Sequence, residues 1–82
     1  MIGLFKNRGP AAQALGPLEI AVMETMWTRG QGNVRDVIDW LGRPLAYTTV
    51  MTTLDRLYKK GLLERRKEER AFLYLPRFSR SE

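Results

Sequence analysis

The chain has 82 residues, a formal net charge of +5, and neither cysteine nor histidine. This length allows one small domain, and the missing residue types exclude a disulfide framework, a thiolate metal site and the usual Cys- or His-based catalytic pairs. No apolar run approaches the roughly 18 residues of a membrane span, and the N-terminus lacks a signal-peptide core. We therefore expect a single folded domain that is neither secreted nor membrane-spanning, in a reducing cytoplasm, with no metal, cofactor or catalytic site.

The positive charge is concentrated in the second half of the chain. Residues 44–82 contain nine basic and five acidic side chains, whereas residues 17–43 contain three basic and four acidic ones. Such an asymmetry is typical of a protein that binds a polyanion, although basic surfaces also serve solubility.

The first sixteen residues show no helical periodicity and contain three glycines and a proline, so residues 1–16 are predicted to be a flexible tail. A first helix is predicted from Pro17, which suits the first helical position, to Arg29, with Gly30 after it. Its apolar residues cover more than one stripe, with Ile20, Met23 and Trp27 widening the core-facing side.

A short turn and a second helix follow. Asn33 and Asp36 have a spacing close to a capping box, so the helix should begin at Asn33 or Val34 and end at Gly42. Val37, Ile38 and Leu41 are predicted to face inward. Trp27 and Trp40 lie on apolar stripes, which favours core anchors over base-stacking platforms.

The third helix is predicted over residues 46–60, with Val50, Leu54 and Leu57 on its core face. Its polar side is rich in threonine, which is a poor choice for an ordinary solvated helix. Threonine hydroxyls can bond base edges or phosphate oxygens, and the methyl group can touch a thymine methyl. The threonines alone are equally consistent with nucleic-acid contact and with residues that are merely tolerated on the helix, Thr53 being half buried. The basic flank of Arg56, Lys59 and Lys60 favours nucleic-acid contact.

After Gly61 the periodicity changes from helical to alternating. The pattern predicts a β-hairpin with its tip near residues 68–70 and its last residue at Pro76. Its outward cations, Arg65, Arg66, Lys67 and Arg70, are expected to form one basic edge beside the third helix. The predicted fold is therefore α+β and mainly α, a winged helix-turn-helix with three helices followed by a two-stranded hairpin wing over residues 17–76.

The segments LGPLEIAVMETMW and TTVMTTLDRLYKKGLLERRKEERAFLYLP resemble the DNA-binding domain of the penicillinase repressor family, the BlaI/MecI type with copper-responsive relatives. The match covers roughly residues 15–76. The helix, the Lys-Gly pair that ends it, the hairpin and the Tyr-x-Pro sequence at the end of the hairpin occur in the same order as in the family. The resemblance implies a cytoplasmic bacterial repressor that binds a palindromic operator in double-stranded DNA as a homodimer. It also implies that the helix matching residues 48–60 enters the major groove, with Thr49, Thr52 and Arg56 at positions associated with DNA contact.

Two departures from the family pattern lead to further expectations. Glu69 occupies the hairpin position where the family typically has glycine, which predicts a wider or differently bent wing tip. In the family a dimerisation domain follows the wing, so residues 77–82 are expected to be a tail leading to a domain absent from this chain. The chain itself is then expected to be monomeric or weakly dimeric. The alternative is a protein that works without this dimerisation domain.

The predicted DNA contacts are base-edge contacts by the threonines, a base or phosphate contact by Arg56, and backbone contacts by the remaining cations. Tyr47 fits packing and phosphate contact equally well. The complete predicted set is Tyr47, Thr48, Thr49, Thr52, Arg56, Lys59, Lys60, Arg65, Arg66, Lys67 and Arg70. The alternative function is a winged helix that docks on an acidic protein partner.

Overall fold

A computed structural model describes residues 15–78, and the predictions for residues 1–14 and 79–82 lie outside that range. Three helices come first: α1 (Pro17–Arg29), α2 (Val34–Leu41) and α3 (Tyr47–Lys59). Two strands follow, β1 (Leu63–Glu68) and β2 (Ala71–Pro76), paired as an antiparallel hairpin. The predicted winged helix-turn-helix order is confirmed, with helix ends within about one residue of the expected ones.

The first two helices begin and end where local hydrogen bonding allows it. The Glu19 carboxylate accepts a 2.9 Å hydrogen bond from the Gly16 N–H before the first turn of α1. Asn33 and Asp36 form the predicted capping box, with bonds of 2.8 and 3.1 Å that satisfy amides left free at a helix start. Gly42 ends α2 in the left-handed conformation, with φ of 66°, which glycine adopts without a steric cost.

The core lies between the three helices and the base of the wing. Val22, Met26, Val37, Val50, Leu54, Leu57 and Leu63 have no measurable exposure, and Tyr74 is 2% exposed. Trp27 and Trp40 are partly buried against this cluster, together with Ile38 and Leu41. Burying one such aliphatic side chain contributes about 1.5–3 kcal/mol, so α3 is held chiefly by Val50, Leu54 and Leu57.

Ile20 contradicts its predicted place in the core, because it is 45% exposed. Helical periodicity gives the direction of a side chain but not the position of the neighbouring elements. In the structure α2, α3 and β2 all pack against α1, yet the side of α1 that carries Ile20 stays open among the described residues.

The wing has a two-residue loop, because Glu68 pairs with Ala71 across the hairpin. Glu69 has φ of 52°, the left-handed conformation that a glycine would adopt more easily. The expectation of a wider wing tip is therefore wrong, since Glu69 adopts the strained angle and the turn stays tight.

A further pair of hydrogen bonds attaches the wing to the helical part. The Gly32 N–H donates to the Tyr74 carbonyl at 3.0 Å, and the Tyr74 N–H donates to the Gly32 carbonyl at 2.9 Å. A Cβ atom on Gly32 would lie 2.5 Å from Cζ3 of Trp40, closer than carbon atoms approach without overlap. The close contact between this turn and the Trp40 ring therefore requires glycine at position 32.

Candidate nucleic-acid interface

The outward side of α3 presents hydroxyl groups to solvent. Thr48, Thr49 and Thr52 are exposed, whereas Val50 and Leu54 fix the opposite side of the helix in the core. Thr53 is 6% exposed and donates a 2.8 Å hydrogen bond to the Thr49 carbonyl. Thr53 is thus more buried than the half burial predicted for it, and three threonines remain free to bond a partner.

An open groove runs between α3 and the start of α1. Its volume is about 460 Å³, and its lining residues are Gly16, Pro17, Leu18, Glu19, Thr48, Thr49, Thr52, Thr53 and Arg56. Arg56 is exposed at this groove. The threonine face is therefore bordered on one side by the long cationic side chain of Arg56. The amino end of α1, which carries partial positive charge, lies on that same side.

Lys60, which was predicted to contact the DNA backbone, forms an ion pair inside the protein. Its Nζ atom lies 3.3 and 3.1 Å from Oε1 and Oε2 of Glu19, and the two side chains are only 23% and 11% exposed. Burial raises the pKa of Glu19, but the Gly16 N–H and the Lys60 ammonium outweigh it, so the pKa lies below its usual value. This ion pair joins the end of α3 to the start of α1, which leaves Lys60 little freedom to reach a phosphate.

Asp55 lies near the centre of the outward side of α3 and has two cationic partners. Its carboxylate is 3.1 Å from Nζ of Lys59, one helical turn further on, and 3.0 Å from Nη1 of Arg65 on β1. The hydrogen bond from Lys59 is the largest influence, and with Arg65 it holds the pKa of Asp55 below its usual value despite the opposing effect of burial. Lys59 itself is 71% exposed, so it can contact a ligand while it screens Asp55.

Arg65 is enclosed by aromatic rings. Its guanidinium carbon lies 4.0 Å from the ring centroid of Tyr58 and 4.2 Å from that of Phe72. The side chain is 24% exposed. Tyr58 and Phe72 were not among the predicted site residues, because only the folded structure brings them together around Arg65.

The predicted single basic edge of the wing is wrong. In the register of the hairpin, Arg65 pairs with Tyr74 and Lys67 with Phe72, whereas Arg66 pairs with Leu73. Because successive side chains of a strand point to opposite faces, Arg65 and Lys67 share the face toward α3 and Arg66 lies on the other face. Lys67, Arg66 and Arg70 are exposed, the last within the loop at the tip.

Tyr47 stands at the start of α3 and is 45% exposed. The Arg35 guanidinium lies 5.6 Å from its ring centroid, within the range of a cation–π contact. Met51, one turn along, is 41% exposed. Of the two predictions for Tyr47, core packing does not fit this exposure, while phosphate contact stays a prediction.

Residues 15–78 offer no group of three or more Asp, Glu, His or Cys side chains that could hold a metal ion. Among the same residues, no helix combines the length and the apolar character needed to cross a bilayer.

Comparison with known proteins agrees with this geometry. The family described as Penicillinase repressor matches residues 15–82. The transcriptional regulator BlaI of Mycobacterium tuberculosis (strain ATCC 25618 / H37Rv) is 48% identical over 71 residues, covering 83% of this chain and 51% of the relative. The penicillinase repressor of Bacillus licheniformis is 36% identical over 66 residues, covering 78% of this chain and 52% of the relative. The chain thus spans about half the length of the curated relatives that it matches.

Solved structures share the fold. The DNA-binding domain of the repressor BlaI superimposes with a TM-score of 0.73 at 34% identity, covering 83% of this chain and 85% of that one. A monomeric form of Bacillus licheniformis BlaI, solved in complex with the blaP half-operator, superimposes with a TM-score of 0.64 at 35% identity, covering 82% and 84%. The three helices and the antiparallel wing described above are therefore the fold of BlaI-type winged-helix domains.

Proposed function

The chain belongs to the penicillinase repressor family, and from this premise we propose that it is the sequence-specific, double-stranded-DNA-binding domain of a cytoplasmic transcriptional repressor. The observation that carries the proposal is the exposed threonine face of α3 beside a groove bordered by Arg56. Hydroxyl groups on a helix held rigidly by its opposite side can bond base edges when the helix enters a major groove. The proposal includes no catalytic step.

Each exposed side chain of the interface has a proposed role. Thr48, Thr49 and Thr52 bond base edges, and Arg56 bonds a base or a phosphate. The DNA backbone is contacted by Tyr47, Lys59, Lys67 and Arg70. Arg66 could contact only a backbone segment on the other side of the wing. Lys60 and Arg65 are left out of this set, because their cationic groups are paired with Glu19 and Asp55 and their side chains are only 23% and 24% exposed. Lys59 also pairs with Asp55 but is 71% exposed.

The operator is proposed to be palindromic and to be bound by a homodimer of the full-length protein. A single winged helix buries only about 600–1,000 Å² on DNA, so one copy of this domain should bind weakly. Two copies would place their α3 helices one helical turn apart, or a multiple of it, on one side of the duplex. The matched region covers only 51% and 52% of these relatives, which leaves them room for a dimerisation region.

The experiment that tests the proposal is selection from a random duplex library at two salt concentrations, followed by sequencing. Enrichment of one short motif that survives the higher salt concentration would support base recognition and would define the half-site. Unselective binding that disappears as salt is raised would contradict it, since phosphate contacts alone behave in that way, and an acidic protein partner would then be the better explanation.

Thr52→Ala sharpens this test. Loss of one hydroxyl contact worth about 1 kcal/mol should lower discrimination at one position of the motif roughly five-fold and leave non-specific binding almost unchanged. Thr28→Ala is the matched control, because Thr28 is exposed on α1 and lies outside the groove. Equal weakening on all duplexes would show instead that Thr52 contacts a phosphate.

A further inference from the structure

Arg65 contacts three different side chains, and two of them connect the wing to α3. Tyr58 and Asp55 belong to α3, Phe72 belongs to β2, and Arg65 itself belongs to β1. The guanidinium lies between the two rings, at 4.0 and 4.2 Å from their centroids, and its Nη1 atom lies 3.0 Å from the Asp55 carboxylate. Two aromatic rings and one carboxylate therefore contact the guanidinium.

The position of Arg65 along the hairpin gives this contact its importance. Leu63 at the base of β1 is fully buried, whereas residues 66–71 toward the tip are all exposed. A two-stranded hairpin is only marginally stable without packing against another element. Arg65 is thus the residue of β1 nearest the tip that is still partly buried, and it bonds Asp55 of α3.

We propose that Arg65 is a positioning residue, which holds the wing at a fixed angle to α3 so that Lys67 and Arg70 meet the DNA backbone while the threonines meet the bases. The role in DNA binding rests on the proposed function above. The role in fixing the wing does not, because every contact that supports it lies within the chain.

The chemistry of the contact requires arginine rather than any cation. A guanidinium is planar and can stack on two rings while its edge donates to a carboxylate, whereas an ammonium on a flexible stem cannot do all three. Arg65→Lys keeps the charge but loses the planar group, so it should fail to hold the wing in position. Arg66→Met is the matched control, because Arg66 is the next residue and lies exposed on the opposite face of the hairpin.

The first experiment uses the free protein and measures backbone ¹⁵N order parameters. In the unchanged protein, residues 67–72 should show values near about 0.85, typical of rigid backbone, and in Arg65→Met and Arg65→Lys they should fall below about 0.6. The helices should keep their values in all variants, and Arg66→Met should leave the wing rigid. Unchanged wing order parameters in Arg65→Met would overturn the proposal. If Arg65→Met does not fold, Asp55→Ala, which removes the acceptor of the Arg65 bond, serves instead, with a fall in the same residues expected and no fall refuting the proposal.

The second experiment measures binding to the selected duplex in a double-mutant cycle. Arg70→Ala should weaken binding several-fold in the unchanged background but less than two-fold in the Arg65→Met background, because a mobile wing no longer presents the tip. Additive effects, together with rescue by Arg65→Lys, would overturn the proposal and identify Arg65 as a direct phosphate contact. Absence of any selected motif for the unchanged protein would refute the proposed function, while the order parameters would still decide the role of Arg65.

Discussion

Replacing Lys60 by methionine should destabilise the domain without removing a DNA contact. Methionine keeps much of the length of the side chain but leaves the Glu19 carboxylate, only 11% exposed, without its cationic partner. Breaking a fully buried pair costs about 3–5 kcal/mol, and an exposed pair contributes about 0–1 kcal/mol. Because Lys60 keeps 23% exposure, the expected loss is intermediate, about 2 kcal/mol.

Thermal unfolding followed by circular dichroism measures this loss. For a domain of this size, 1 kcal/mol corresponds to about 4–8 °C, so Lys60→Met should lower Tm by roughly 8–16 °C. Glu19→Gln is the informative partner variant, since a glutamine oxygen can still accept the Gly16 N–H bond of the helix start and only the charge is lost. The double variant should recover part of the stability, because no unpaired charge is left buried.

Lys59→Met supplies the opposite pattern in the adjacent residue. Lys59 is 71% exposed, so its loss should change stability by less than about 0.5 kcal/mol. As a proposed phosphate contact, it should reduce the slope of log affinity against log salt by about 0.9, while Lys60→Met should leave that slope unchanged. A Lys60→Met domain with unchanged Tm and a reduced slope would refute the assignment of Lys60 to the ion pair.

Three further predictions concern stability. Gly32→Ala should lower the free energy of unfolding, measured with denaturant, by about 1–3 kcal/mol, because the new methyl group overpacks against Trp40. Gly16→Ala is the control and should lower it clearly less, because its Cβ would meet nothing closer than 3.9 Å. Equal losses in the two variants would contradict the close contact at Gly32. Glu69→Gly should raise the free energy of unfolding by about 1 kcal/mol by relieving the left-handed strain, and a loss of stability would show that the Glu69 side chain matters more than its φ. The pKa of Glu19 is lowered from 4.5 by folding, so its contribution is complete above that pH and is lost as pH falls through the folded pKa. The free energy of unfolding of Glu19→Gln should therefore fall less steeply with decreasing pH below about pH 4.5 than that of the unchanged protein. An unchanged slope would refute this.

The sequence predicted those features whose causes are local. The start of α1 at Pro17, the cap of α2 at Asn33, the left-handed residue Gly42 after α2 and the alternation of the hairpin depend on residues a few positions apart. The core face of α3 followed from periodicity in the same way. These signals were sufficient for the order of the elements and for the exposed threonine face.

Most of the features that the sequence did not reveal depend on residues far apart in the chain. Arg65 is separated by ten residues from Asp55, and Lys60 by 41 from Glu19, so no periodicity could show that either cation has an internal partner. Ile20 depended on where α2 and the wing lie against α1. Glu69 shows that a hairpin can impose a left-handed angle on a residue with little preference for it.

The hydrogen-bond pair between Gly32 and Tyr74 has a consequence for the order of folding. Those bonds enclose a loop that contains all of α2 and α3, and closing it has an entropic cost that only later contacts offset. Helix contacts between α2 and α3 are much closer in sequence and can form earlier. We therefore expect the wing to join a helical nucleus already formed, so that substitutions at the Gly32–Tyr74 junction accelerate unfolding while leaving the folding rate nearly constant.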